Sequence, residues 1–347
     1  MKRLYFLLSC LFIFQFSFLS SFAQQDFESA AKIKANKIKS QKVLKYKYEW
    51  GEPILQGDLI FLKQYDENGN ILESKSPMAR IVYKYNEKGK MVMETYFNNN
   101  GTIKYRYSYN YDGMGNLTEE SEMNVDGSFY FKTSYEYDDL GKRTKTLTYN
   151  EDGSVKTAFK YDEKGNLLDV SAYDKDKSFY FNTVNTYDAQ GKLSTEVLYN
   201  PDGSISQKIF HTYDSEGIQI KEVKFGQDGK IQDKKVFSRN PEKKLLEEIQ
   251  YNSEGMAYAK YILKYDAKEN PIEETEYSYG NLASHSIYKY DEKENLTEES
   301  IIGDDGIVFS KTTYKYDLKG NRIEATKYNM LDEPENLLKY EYEFYVD

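Results

Sequence analysis

The sequence predicts an all-β protein. The expected fold is a long antiparallel β-meander of about twenty short strands, built from tandem double-hairpin repeats of ~25 residues, forming a coiled or solenoid-like sheet. Three observations predict it. A Tyr-Asp-x-x-Gly-Asn-like turn, or a degraded copy, returns eleven times at intervals mostly of 24 to 26 residues, as in Tyr65-Asp66-Glu67-Asn68-Gly69-Asn70 and Tyr161-Asp162-Glu163-Lys164-Gly165-Asn166. A second turn of the same Asp/Asn-x-x-Gly form lies between successive copies, as in Asn150-Glu151-Asp152-Gly153 and Asn200-Pro201-Asp202-Gly203. Side chains between turns alternate: Phe129, Phe131, Thr133, Tyr135 and Tyr137 share one face, and Tyr130, Lys132, Ser134 and Glu136 the other. Period two is the signature of a strand.

At the N-terminus, residues 1–23 have the form of a secretory signal. Lys2 and Arg3 precede an apolar run, Leu4–Leu19, and Ser21-Phe22-Ala23 offers a small-x-small cleavage site. After cleavage no transmembrane span is expected, because this apolar run is too short and wrongly flanked for one. Cys10, the only cysteine, falls inside the signal, so a mature chain beginning at Gln24 has no disulfide. Residues 24–58 form a leader and opening strand. Asp26–Lys39 has helical composition, and Val43–Trp50 with Leu59–Tyr65 forms a longer opening hairpin. Residues 59–347 form the repeat domain, with a loop at Ser74–Met78 and one turn, near Phe237–Lys244, that has lost its glycine.

Turn chemistry sets the pairing. Asp/Asn-x-x-Gly matches a type I turn closed by a left-handed glycine, the three-residue hairpin loop with a bulge. Asp162 should therefore face Asn166, and Tyr161 should face Leu167. The same offset pairs Tyr111 with Leu117, Met123 with Phe129, Tyr149 with Val155, Tyr187 with Leu193 and Tyr199 with Ile205. Such apolar cross-strand pairs contribute about 0.2–1 kcal/mol each. Arg143, Gln219, Pro271 and Arg322 interrupt the apolar pattern, so their hairpins are expected to be weaker or distorted. An open twisted sheet of this many strands should coil. It would turn its Tyr/Leu face inward and its Lys/Glu/Thr face outward. Nearest-neighbour stability would let the chain lose a unit such as residues 137–162 and still fold.

Composition narrows the function. The formal net charge of −10 argues against nucleic acid, whose phosphates need a basic face. Hydrophobic content of 39% is low for a compact globule, yet 35 tyrosines and 19 phenylalanines are too many for disorder. A polar, tyrosine-rich β structure reconciles the two.

The run Tyr109-Asn110-Tyr111-Asp112-Gly113-Met114-Gly115-Asn116-Leu117, with Tyr135-Glu136-Tyr137-Asp138-Asp139-Leu140-Gly141-Lys142-Arg143, resembles the YD repeat of Rhs-type bacterial surface and toxin-shell proteins. The likeness covers roughly residues 60–345. It implies a coiled β shell and, through the frequent association of such repeats with glycans, carbohydrate binding. Rhs shells are far longer and carry a core-associated segment and a C-terminal toxin domain. Here the repeats run through Tyr340-Glu341-Tyr342-Glu343-Phe344.

Motifs for chemistry are few. His211 and His285 are the only histidines, and neither has a motif around it. Carboxylates recur at every turn, which marks them as structural rather than as one catalytic pair. Glu122-Met123-Asn124-Val125-Asp126-Gly127 resembles the start of a calcium loop, but its twelfth position is Thr133 rather than a bidentate glutamate. Thr148 and Leu198 stand at the first ligand position in other units, so the turn explains every copy and calcium explains one. No cofactor is expected. Most tyrosines should fill the strand face. Tyr105, Tyr107, Tyr130 and Tyr180, off-phase or clustered, are the candidate glycan contacts. The expected protein is an exported, non-enzymatic scaffold acting by surface contact with glycans or envelope proteins, and secreted, periplasmic or at the cell surface. The alternative is an accessory or remnant of a polymorphic toxin system.

Overall fold

In a computed structural model, residues 30–346 are described, apart from 175–177, 241 and 243. The expected signal and the first residues of the leader lie outside them. Among the described residues the chain is all-β and antiparallel, with one short helix, Ala30–Ala35, ahead of the first strand. Of its strands, Glu52–Pro53 pairs only with the first, Ile38–Glu49. The remaining 24 form a wall, and each pairs with its neighbours in sequence.

That wall is closed, which overturns the expected open meander, coiled sheet or solenoid. The first strand pairs on one side with Asp58–Tyr65 and on the other with the last strand, Pro334–Phe344. At this seam Val43 stands opposite Tyr340 and Gln41 opposite Tyr342. Two features account for closure. Nearly every hairpin carries a one-residue register shift beside its turn, as between Lys160 and Tyr161 or Thr148 and Tyr149. Each bulge adds local twist and bend, and these accumulate around the wall. Joining the two ends then removes both unpaired edges of the sheet.

The predicted registers are present: Tyr161 opposite Leu167, Tyr111 opposite Leu117, Met123 opposite Phe129, Tyr149 opposite Val155, Tyr187 opposite Leu193 and Tyr199 opposite Ile205. The hairpins of Arg143, Gln219, Pro271 and Arg322 are not distorted, contrary to expectation. Each residue stands opposite its tyrosine like the others. The arginines earn their places through their planar cations. Arg143 lies 4.4 Å from the ring centre of Tyr135, and Arg322 lies 4.4 Å from that of Tyr314.

The Tyr-Asp motif works as a unit. Asp162 Oδ1 accepts the backbone N–H groups of Lys164 and Asn166, while its Oδ2 accepts the Asn166 side-chain amide at 2.9 Å. The tyrosine hydroxyl reaches further. Tyr111, Tyr137, Tyr187, Tyr213, Tyr265 and Tyr316 each donate to the backbone carbonyl twenty residues earlier, at 2.7–3.0 Å. Tyr342 repeats the bond to Arg322, and Tyr345 donates to the Tyr65 carbonyl across the seam. A chain of hydroxyl–carbonyl bonds therefore runs along this rim and over the closure. Where lysine follows the turn glycine, it ties one turn to the next: Lys90 donates to the Gly115 carbonyl, and Lys192 to that of Gly217.

At the same rim, the helix stands where a further Tyr-Asp turn would join the last strand to the first. Ile33 and Ile38 are buried with Tyr65, against Ile71 and Tyr342. Lys32 donates to the Gly320 carbonyl, and the Asn36 amide to Asn321 Oδ1. The helix packs so closely on the first turn that a Cβ on Gly69 would lie 2.3 Å from the Ala30 carbonyl oxygen. Gly153, with the same left-handed φ (80°), has open space around it. Gly153→Ala should therefore cost about 1 kcal/mol, from the strained φ alone. Gly69→Ala should cost more and loosen the helix. Thermal melts and hydrogen exchange at Ile33 check this; equal losses in the two variants would show that the helix contact adds nothing.

Candidate functional site

Antiparallel pairing gives the wall two chemically distinct faces. One carries cross-strand ion pairs: Lys145–Glu136 (3.0 Å), Lys264–Glu273 (2.8 Å), Lys289–Glu298 (2.8 Å) and Lys315–Glu324 (2.6 Å). Their lysines are well exposed, so each pair is worth little, about 0–1 kcal/mol. The other face carries tyrosines paired with glutamates. Tyr109 donates to Glu94 at 2.7 Å, Tyr135 to Glu120 at 2.6 Å, Tyr288 to Glu274 at 3.2 Å and Tyr314 to Glu299 at 3.1 Å. Burial pushes these phenols up, and the neighbouring carboxylates push them further. Burial likewise raises Glu274.

His211 occupies one of these tyrosine positions. Its Nε2 lies 2.9 Å from Glu196 Oε1, and its Nδ1 lies 3.1 Å from the Gln219 amide. Glu222 and Lys235 complete a shielded polar cluster. His285 lies 3.3 Å from Glu273 on a separate strand. Among the described residues, no group of three or more His, Cys, Asp or Glu is placed to hold a metal ion. In the calcium-like loop, Asp126 Oδ1 accepts both the N–H and the hydroxyl of Ser128, as a hairpin turn requires.

The structure brings together two of the four predicted glycan contacts. Tyr105 and Tyr107 lie 5.8 Å apart, ring centre to ring centre, edge to face. Tyr96, missed in the sequence, completes the cluster. Its ring stacks on Tyr105 at 4.5 Å and meets Tyr107 at 5.8 Å. Glu94 and Glu122 edge the group: Tyr96 donates to Glu94 and Tyr107 to Glu122, the latter at 2.6 Å. Continuing the turn-pairing rule past Phe97 opposite Ile103, with one bulge, would have placed Tyr96 beside Tyr105. Tyr130 and Tyr180 do not join them. Both are about half exposed, on strands Phe129–Tyr137 and Phe179–Tyr187. By alternation they lie on the ion-pair face. Four strand spacings part them, about 19 Å.

A pocket of about 440 Å³ opens where the repeat departs most from its pattern. Ile218, Ile220 and Phe237 line it with Asp214, Arg239 and Asn240.

No protein-family model and no curated protein matches the chain. Among solved structures it is similar to the toxin complex TcdB2-TccC3, at 14% identity and TM-score 0.36, over 80% of this chain and 17% of that one. It is also similar to the Photorhabdus luminescens Tc holotoxin pore, at 15% identity and TM-score 0.36, over 80% and 16%. A porin-like protein from Bacteroides uniformis is similar at 11% identity and TM-score 0.25, over 89% and 97%. The chain thus spans 16–17% of the length of the toxin chains it matches.

Proposed function

We propose that this chain is an exported, non-enzymatic barrel of YD-repeat type that acts by surface contact, and that its tyrosine face recognises carbohydrate. The observation that carries the reading is the Tyr96–Tyr105–Tyr107 cluster with Glu94 and Glu122 at its edge. Aromatic rings with fixed hydroxyl and carboxylate acceptors suit the apolar face and the hydroxyls of a sugar. Repetition of the carboxylates around the wall supports a structural use of acids rather than a catalytic pair.

The barrel stands in water rather than spanning a bilayer. A membrane barrel needs one face with an apolar band. Here one face bears the mid-strand pairs Lys132–Glu119 and Lys260–Glu247, and the other bears Glu94, Glu120, Glu196 and Lys235. Ionised groups at mid-wall on either face oppose contact with lipid chains.

The test is a glycan array with residues 24–347 and with Tyr107→Ala and Glu122→Gln. Selective retention of a glycan class, reduced at least about tenfold in both variants (~1.4 kcal/mol), is the expected result. Retention unchanged in both variants, or no retention of any glycan, would remove carbohydrate recognition from this face.

A further inference from the structure

Because hairpins alternate, every Tyr-Asp turn lies on one rim and every other connection on the opposite rim. Six successive connections on that opposite rim each present a large apolar side chain to solvent. In order around the wall they are Met256, Tyr279, Ile307, Leu331, Leu55 and Met78, each at least half exposed. Trp50 shares the connection of Leu55, and both are fully exposed. The six straddle the seam. Successive turns on one rim are two strands apart, so the crescent runs about 50 Å. The turn at Asn98–Gly101 and that at Asn150–Gly153 offer no such residue.

The same six connections, residues 251–256, 278–281, 302–307, 328–333, 49–58 and 76–79, contain no lysine or arginine. They carry Glu52, Glu254, Asp304 and Asp305 among their acids. The apolar side chains stand in ones and twos at turn tips, as with Trp50 and Leu55 or Met330 and Leu331, with polar backbone and carboxylates between the tips. A protein partner would ask for a contiguous apolar patch. Separate wedges on one rim suit a flat interface, where tips enter the headgroup layer and aromatic rings settle at its boundary. The acids select the headgroup. They repel an anionic surface and another copy of the same rim, and they complement the outward ammonium of ethanolamine or choline.

We propose that this crescent docks the barrel, rim down, on a zwitterionic phospholipid surface without crossing it. The docking residues do not overlap the tyrosine cluster, so either property can fail alone.

Trp50 is the only tryptophan, so its fluorescence reports this rim alone. The experiment titrates residues 24–347 with phosphatidylethanolamine/phosphatidylcholine vesicles, following Trp50 emission and vesicle co-sedimentation. The expected result is a blue shift of 10 nm or more with co-sedimentation, as an order of magnitude for an indole entering the interface. Binding should weaken at least about fivefold when a third of the lipid is phosphatidylglycerol, and at least about tenfold in Leu55→Asp and Leu331→Asp. Both sites are exposed, so circular dichroism should be unchanged in these variants. Three results would each overturn the proposal: no shift and no sedimentation, tighter binding to the anionic vesicles, or a concentration-dependent shift without lipid, which would mark contact between copies.

Discussion

Val43→Asp is expected to destroy the barrel rather than fray one strand. Val43 is completely buried at the seam, in a cluster with Leu296, Tyr314, Ala325 and Tyr340. A carboxylate there would be cut off from water among apolar side chains and rings, and burying one costs about 4 kcal/mol. Val43→Ala should cost about 2 kcal/mol, close to the burial value of the side chain. The closed topology decides how the loss spreads. The first strand holds Asp58–Tyr65 on one side and Pro334–Phe344 on the other, so freeing it creates two edges at once. Hydrogen exchange should therefore show protection lost together at residues 38–49, 58–65 and 334–344, with a lowered melting temperature. Loss confined to residues 38–49 at an unchanged melting temperature would show that closure contributes little. Closure likewise changes what deletion of residues 137–162 would do, because the shortened wall must meet again at the same seam.

Alkali is the second large lever. Burial, then Asp66 and Tyr83, pushes the Tyr85 phenol up to about 12; burial, then Asp266 and Glu299, pushes Tyr290 up to about 12. Tyr109, Tyr135 and Tyr314 are pushed up as well, by burial first and by their glutamates next. A folded value above the unfolded one means that the fold favours the neutral phenol. That stabilisation is complete below the unfolded value of 10.0 and is lost as pH rises through the folded values. Many tyrosines share the same seat, so their losses combine. Tyrosinate absorbance should rise in one steep step between pH 10 and about 12, coincident with loss of near-ultraviolet dichroism. Gradual ionisation completed near pH 10 with the dichroism intact would show that the hydroxyl–carbonyl and hydroxyl–carboxylate bonds do not hold the wall.

Much of this was legible in the residues. The offset from Tyr161 to Leu167 follows from turn geometry alone, because a type I turn closed by a left-handed glycine places its flanks in one register. Asp162 and Asn166 are likewise readable as a local bonded unit, four residues apart. The tyrosine of the motif is different. Its partner is the carbonyl at the far end of the preceding strand, twenty residues back, and the geometry of a single turn does not reach that far. Arg143 and Arg322 were misjudged for a related reason. Polarity at an apolar position looks like a defect until the ring it covers is in view. Of the glycan candidates, Tyr105 and Tyr107 share a strand face two residues apart, and their rings meet in the wall. Tyr130 and Tyr180 share neither face nor neighbourhood with them, because alternation along each strand outweighs nearness in sequence.

By itself the sequence determined the strands, the turns, the antiparallel order and the pairing within each hairpin, since all of these depend on contacts a few residues apart. Only the tertiary structure decided that the two ends meet, that the helix Ala30–Ala35 fills the gap between them, and that six connections with exposed apolar residues fall in succession across the seam. Closure depends on small bends summed over 24 strands and on a register between Val43 and Tyr340, nearly three hundred residues apart. No repeat unit carries that information, because each unit senses only its neighbours.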